Sequence, residues 1–112
     1  MENTRQQKIA KQIQRDIAEI FQRDLSAALR GTLVTVTTVR VSPDLAYAKV
    51  YVSIFPYEKA AATLDVIESQ NRAIRGALGN RMRNQVKSIP ELQFFIDDSL
   101  EYIENIYSLL KK

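Results

Sequence analysis

The chain predicts an α+β fold, with one small sheet and helices packed on a single face. Three patterns carry that expectation. From Ala46 to Ile54 every second residue is apolar, the period of a strand with one face on a core and the other toward water. From Thr4 to Leu25 the apolar residues recur at helical spacing instead. A short alternating run of Leu92, Phe94 and Ile96 follows a proline that ends a second helical stretch. With 112 residues, 46% of them apolar, one folded domain over residues 1–112 with one modest core is expected.

The first helix is expected from about Thr4 to Leu25. Ile9, Ile13, Ile17, Ile20 and Phe21 share one side of it, and Arg5, Lys8, Lys11 and Arg15 fall nearly opposite. Asp16, Glu19 and Asp24 end the basic character in its second half. Ser26 to Gly31 is a linker, with Gly31 as the stop. The first strand, Leu33 to Val41, is rich in Val and Thr. Val34 and Val36 have one parity and Val39 and Val41 the other, so a bulge is expected near Thr37-Thr38. Pro43, between Ser42 and Asp44, suits position i+1 of a type I turn. The second strand then runs to about Pro56.

Residues from about Tyr57 to Lys87 read as helical, with Ala60, Leu64, Ile67, Ile74, Leu78 and Met82 in one stripe. Asn71 stands where that stripe expects an apolar residue. A polar side chain there needs a partner or a break in the helix, so two helices with a kink near Asn71 are expected. Pro90 stops the second of them, and the third strand follows. Asp97-Asp98-Ser99 suits the start of a terminal helix whose apolar side is Leu100, Ile103, Tyr107 and Leu110, with Lys111 and Lys112 at its end. The order α-β-β-α-(kink)-α-β, with an extra C-terminal helix, is that of a type II KH-like domain.

The absence of Cys and His removes disulfides, zinc fingers, thiol nucleophiles and Ser-His or Cys-His dyads. A cytosolic setting is compatible with it. No apolar run reaches the length of a membrane span, and the polar N-terminus gives no signal peptide. No P-loop, dinucleotide fingerprint or nucleophile elbow occurs. Asp97 and Asp98 are adjacent and lack a third acidic ligand at a set spacing, which suits a helix start better than a metal. No catalytic residue, metal or cofactor is therefore expected, and an enzyme is the weakest class.

The net charge is +3, with a pI near 9.3. Arg72, Arg75, Arg81, Arg83 and Lys87 fall between Glu68 and Glu91 with no acidic residue among them, whereas the last segment is acidic. Together with Arg5, Lys8, Lys11 and Arg15 they form two cationic helical surfaces. One reading is a surface that neutralises phosphates, and the other is a pair of solvated helix faces. Tyr47, Lys49 and Tyr51 alternate outward on the second strand, where aromatics stack on unpaired bases or pack across strands. Asn71 suits a phosphate contact or a helix cap. Gly76 and Gly79 have the spacing of a Gly-any-any-Gly clamp, but they sit in an apolar helical stripe, which favours packing.

Four segments together resemble the ribosome-binding factor A family of bacterial small-subunit assembly factors. They are the helix Arg5 to Arg23, the strand pair from Leu33 to Ser53 with Val41-Ser-Pro-Asp-Leu-Ala-Tyr-Ala-Lys-Val-Tyr-Val52, the basic helix Ile74 to Arg83, and Ile89-Pro-Glu-Leu-Gln-Phe-Phe-Ile-Asp-Asp-Ser-Leu100. The resemblance implies a KH-like monomer in the cytoplasm that binds small-subunit (16S) rRNA in immature 30S subunits. It also implies help in late maturation and precursor processing, and an association with growth in the cold. The family replaces the KH clamp with an Ala-any-Gly kink, whose place here is Gln70, Asn71 and Arg72. The family often has Asp-Pro-Arg before the first strand, where this chain has Ala27-Ala-Leu-Arg-Gly31. Many members carry a disordered tail past the last strand, where a helix reaching Lys112 is expected here. The rival class is a protein-interaction module that docks a partner through a sheet edge or the acidic C-terminal helix.

Overall fold

A computed structural model describes residues 4–97. Helix α1 spans Thr4–Arg23, strand β1 Leu33–Val41 and strand β2 Tyr47–Phe55. A 3₁₀ turn over Tyr57–Lys59 leads into α2, Ala60–Ser69. Helix α3 is Asn71–Met82 and strand β3 is Glu91–Ile96. The expected order is thus present. The terminal helix expected from Asp98 onward, with Leu100, Ile103, Tyr107, Leu110, Lys111 and Lys112, lies outside the described residues.

Helix α1 buries Ile9, Ile13, Ile17, Ile20 and Phe21, so its apolar stripe is the one packed on the sheet. The stripe from α2 to α3 buries Ile67, Ile74, Leu78 and Met82. The sheet contributes Val36, Val39, Val41, Ala48, Val50, Val52, Ile54, Leu92 and Phe94 to the same core. Each fully buried Ile, Leu or Met stabilises the fold by roughly 1.5–3 kcal/mol relative to exposure. Phe21 and Phe94 meet there with ring centroids 6.3 Å apart.

The sheet order is β1-β2-β3, with β1 antiparallel and β3 parallel to β2. Val34 pairs with Ile54 and Val36 with Val52, but Val39 pairs with Val50. The register shifts between Val36 and Thr38, so Thr37 is the extra residue of a bulge. The bulge keeps all four valines of β1 toward the helices. The Leu45 N–H closes the Pro43 turn on the Ser42 carbonyl at 2.9 Å. Leu45 then takes a left-handed φ of 61°, and β2 begins at Tyr47.

Three boundaries differ from the sequence expectation. Helix α1 ends at Arg23, where the Asp24 and Leu25 N–H groups both fall on the Ile20 carbonyl. The linker behind it is partly core, because Leu25 and Leu29 are buried, and Gly31 turns it with a φ of 85°. Tyr57–Lys59 is a tighter 3₁₀ turn. Helix α3 ends at Met82, whose carbonyl accepts the Gln85 and Val86 N–H groups. Arg83 is its C-terminal cap and Lys87 lies in the connector to β3.

Candidate nucleic-acid interface

Ile74, Leu78 and Met82 point α3 at the sheet, which sends the remaining positions to defined sides. Arg72 and Arg83 project opposite that stripe and are exposed. Neither side chain makes a hydrogen bond or ion pair among the described residues, and the same holds for the Lys87 side chain. The other two arginines of the segment are engaged. The Arg75 guanidinium donates to the Ile89 carbonyl at 2.7 Å and the Pro90 carbonyl at 3.2 Å. The Arg81 guanidinium donates to the Glu19 carboxylate at 2.5 Å, and Asp16 lies 3.8 Å away. One arginine therefore ties α3 to the approach of β3, and the other ties it to α1.

The Arg81 hydrogen bond, aided by its charge, holds the Glu19 carboxyl below its ordinary value. Reciprocally, Glu19 holds the Arg81 guanidinium above its own. Asp16 is buried beside this pair and also accepts from Gln12 Nε2 at 2.7 Å.

On α1, Arg5, Lys8, Lys11 and Arg15 are all exposed, opposite the buried isoleucines. Arg15 donates to the neighbouring Gln12 side-chain oxygen. Both helices lie on the same face of the sheet, so their solvent sides point the same way. The structure also brings Arg5 and Lys87 to one shallow cleft, with Asp44, Leu45, Val86 and Ser88. The Ser42 hydroxyl and the Ala46 N–H donate to the Asp44 carboxylate there and lower its pKa. Lys11 lies along a second cleft beside Thr37 and Thr38 of β1. Arg72 and Arg75 line a third with Glu68 and Glu91. The predicted cations thus share one helical layer, but the layer is interrupted by carboxylates at three places.

The break at Asn71 occurs as expected, but its side chain does not cap the helix. Gln70 leaves helical geometry at φ −100°, ψ 8°, and no side chain caps α3. Asn71 Nδ2 instead donates to the Leu92 carbonyl of β3 at 3.0 Å and to Glu68 at 3.3 Å. Glu68 in turn accepts the Phe94 N–H at 3.3 Å. These β3 groups face away from β2, so the kink covers an otherwise open sheet edge. Glutamines of α1 do the same for β1. Gln6 donates to the Val41 carbonyl at 2.9 Å, and Gln14 to the Val36 carbonyl at 3.2 Å.

The ribosome-binding factor A family model matches residues 5–110. The chain belongs to this family. The Flavobacterium johnsoniae ribosome-binding factor A is 44% identical over 111 residues, covering 98% of this chain and 85% of that protein. The Cytophaga hutchinsonii protein is 38% identical over 112 residues, covering 100% and 84%. The crystal structure of ribosome-binding factor A from Thermus thermophilus superposes with a TM-score of 0.68 at 28% identity, covering 81% of this chain and 94% of that one. A Thermus thermophilus homology model, fitted into the cryo-EM map of a complex of that factor with the 30S subunit, gives 0.64 at 31% identity, covering 80% and 91%.

Within this ribosome-binding factor A member, several tethers were invisible to sequence reasoning. The backbone partners of Gln6, Gln14 and Glu68 lie 22 or more positions away. The one usable signal was Gln6, which sits one helical turn before Ile9 and Ala10 beside the apolar stripe.

Proposed function

We propose that this chain binds the small ribosomal subunit through the solvent side of its helical layer, with phosphates of 16S rRNA as the contacted groups. The observation that carries this reading is the set of outward cations without a carboxylate partner. Arg72, Arg83 and Lys87 stand on or just after α3, and Arg5, Lys8, Lys11 and Arg15 stand on α1. Arg75 and Arg81 hold α3 in place for them. Such contacts give affinity and orientation with little sequence choice.

The Thermus factor fitted into a 30S complex supports the same partner. The factor acts as a monomer in the cytoplasm on immature 30S subunits. It assists late maturation and precursor processing by favouring one rRNA conformation that it binds preferentially, including during growth in the cold. It carries out no chemical step itself. A partner docking by strand addition at a sheet edge fits less well, because Glu68 and Asn71 occupy part of the β3 edge and Gln6 and Gln14 part of the β1 edge.

The test is co-sedimentation with small subunits at increasing salt, using the chain and an Arg83→Glu, Lys87→Glu variant. Steep detachment with salt, and loss of binding in a variant that stays folded, is the expected result. Binding that ignores salt and survives the double reversal would overturn the reading.

A further inference from the structure

The side of the sheet away from the helices carries two aromatic platforms. Ala48, Val50 and Val52 of β2 are buried against the helices, so Tyr47, Lys49 and Tyr51 take the other side. The strand register adds Arg40 of β1 and Phe95 of β3 to it. Tyr51 and Phe95 stand opposite each other and stack with ring centroids 5.5 Å apart, and Phe95 is 39% exposed. Tyr47 is 50% exposed and has no ring partner among the described residues. Its backbone is fixed. The Tyr47 carbonyl accepts the Ser42 N–H at 2.9 Å, and the Tyr47 N–H donates to the Ser42 hydroxyl at 3.0 Å. Tyr47 and Tyr51 are four positions apart on β2, about 13 Å.

Two cations lie between the platforms. Arg40 and Lys49 pair directly across β1 and β2, and both are exposed. Neither side chain makes a hydrogen bond or ion pair among the described residues. Like charges directly opposite each other repel, which a polyanion laid over both relieves. The carboxylates of this face lie along β3 instead. Glu91 is opposite Tyr47, and Asp97, past the end of the strand, accepts the Thr37 hydroxyl at 2.6 Å. The strip along β1 and β2 is therefore cationic between two sets of rings.

That pattern separates two kinds of partner. The centre of a protein interface is depleted of charge, and of Lys in particular. A single nucleic-acid strand needs the reverse: ring faces for its bases and cations for the phosphates between them. Sheets that hold unpaired RNA stack two or three bases in this way. A duplex keeps its base faces inside its own stack and gains nothing from Tyr47.

We infer that the open sheet face is a second nucleic-acid surface, which takes roughly two or three unpaired bases of a single RNA strand. One base stacks on Tyr47 and another on the Tyr51–Phe95 pair, and Arg40 and Lys49 meet the phosphates between them. This surface lies across the sheet from the cations of α1 and α3 and uses none of them. One molecule then holds RNA on both of its sides, through charge on the helices and through stacking on the sheet.

The test uses the full chain and a fluorescein-labelled oligoadenylate of about eight nucleotides, read by fluorescence anisotropy. An RNA duplex of the same length is the comparison. Tyr47→Ala is expected to weaken single-strand binding roughly 5- to 150-fold, the range for one lost base stack, and to leave duplex binding unchanged. Tyr47→Phe keeps the ring and is expected to keep the binding. Arg40→Gln with Lys49→Gln is expected to lower the magnitude of the salt slope by about 0.7 for each cation. The Tyr47→Ala loss is expected to be the same in an Arg83→Glu, Lys87→Glu background, because the two surfaces are independent. Circular dichroism checks that each variant is folded. Single-strand binding that ignores both Tyr47→Ala and the Arg40, Lys49 pair overturns the inference, and so does a loss that disappears in the Arg83, Lys87 background. Absence of single-strand binding also overturns it, while salt-dependent co-sedimentation with small subunits would still support the helical layer. A Tyr47→Ala variant that binds the strand normally but loses a salt-insensitive association with small subunits points to a protein contact and overturns it as well.

Discussion

The Arg81 guanidinium of α3 sits 2.5 Å from the Glu19 carboxylate of α1, with Asp16 next to it. This places a cation that the sequence offered to phosphate inside the joint between two helices. Glu19 has its carboxyl pKa lowered by the Arg81 hydrogen bond, so the folded value lies below the unfolded one. Its contribution is therefore present above the unfolded pKa and lost as pH falls through the folded one. Thermal midpoints measured from neutral pH downward should fall more steeply for the native chain than for Glu19→Gln. The exposed setting keeps the difference small. Arg81→Glu should lower the midpoint at neutral pH as well, because it gathers like charges around Asp16.

Asn71 is held by the Leu92 carbonyl, and that bond is part-buried. Asn71→Ala leaves the acceptor without its donor and loosens Glu68 beside the Phe94 N–H. A loss of roughly 1–3 kcal/mol is expected, the range for an unmade buried hydrogen bond. Urea unfolding measures it. Asn71→Asp should cost more, since the new carboxylate faces both a carbonyl and Glu68.

Local pattern carried most of the fold, and long-range pairing carried what it missed. The bulge at Thr37 was readable because two parities of valine cannot share one face without an extra residue. The break before Asn71 was readable because one polar position interrupts an apolar stripe. Its partner was not, because Leu92 lies 21 positions away on another element. The run from Arg72 to Lys87 has no acidic residue, yet Arg81 meets Glu19, 62 positions distant. Spacing along one helix says which side a cation takes, but not which neighbouring helix arrives there. The Lys87 position failed differently: propensity let the helix run on, while the connector to Pro90 had to turn at Met82.

Gly76 separates a packing role from a clamp role. It lies within α3, is exposed, and an added Cβ meets nothing within 4 Å. Gly76→Ala should therefore raise stability by roughly 0.5–1 kcal/mol, the helical cost of glycine relative to alanine. Denaturant midpoints test this. Binding to small subunits should not change. Gly79 differs, because its Cβ would come within 3.4 Å of Ile89, so Gly79→Ala should gain less or nothing.

Arg83 and Arg75 lie eight positions apart and should answer to different assays. Arg83 is exposed and unpaired among the described residues, whereas the Arg75 guanidinium is occupied by the Ile89 and Pro90 carbonyls. Each phosphate contact contributes roughly 0.7–0.9 to the slope of log affinity against log salt. Arg83→Ala should lower the magnitude of that slope by about this amount and leave unfolding unchanged. Arg75→Ala should leave the slope alone and lower stability by about 1 kcal/mol, the net worth of a typical hydrogen bond. Sedimentation with small subunits at several salt concentrations, paired with urea unfolding of each variant, reads both quantities. A slope that responds to Arg75 and ignores Arg83 would exchange the roles assigned to the two arginines.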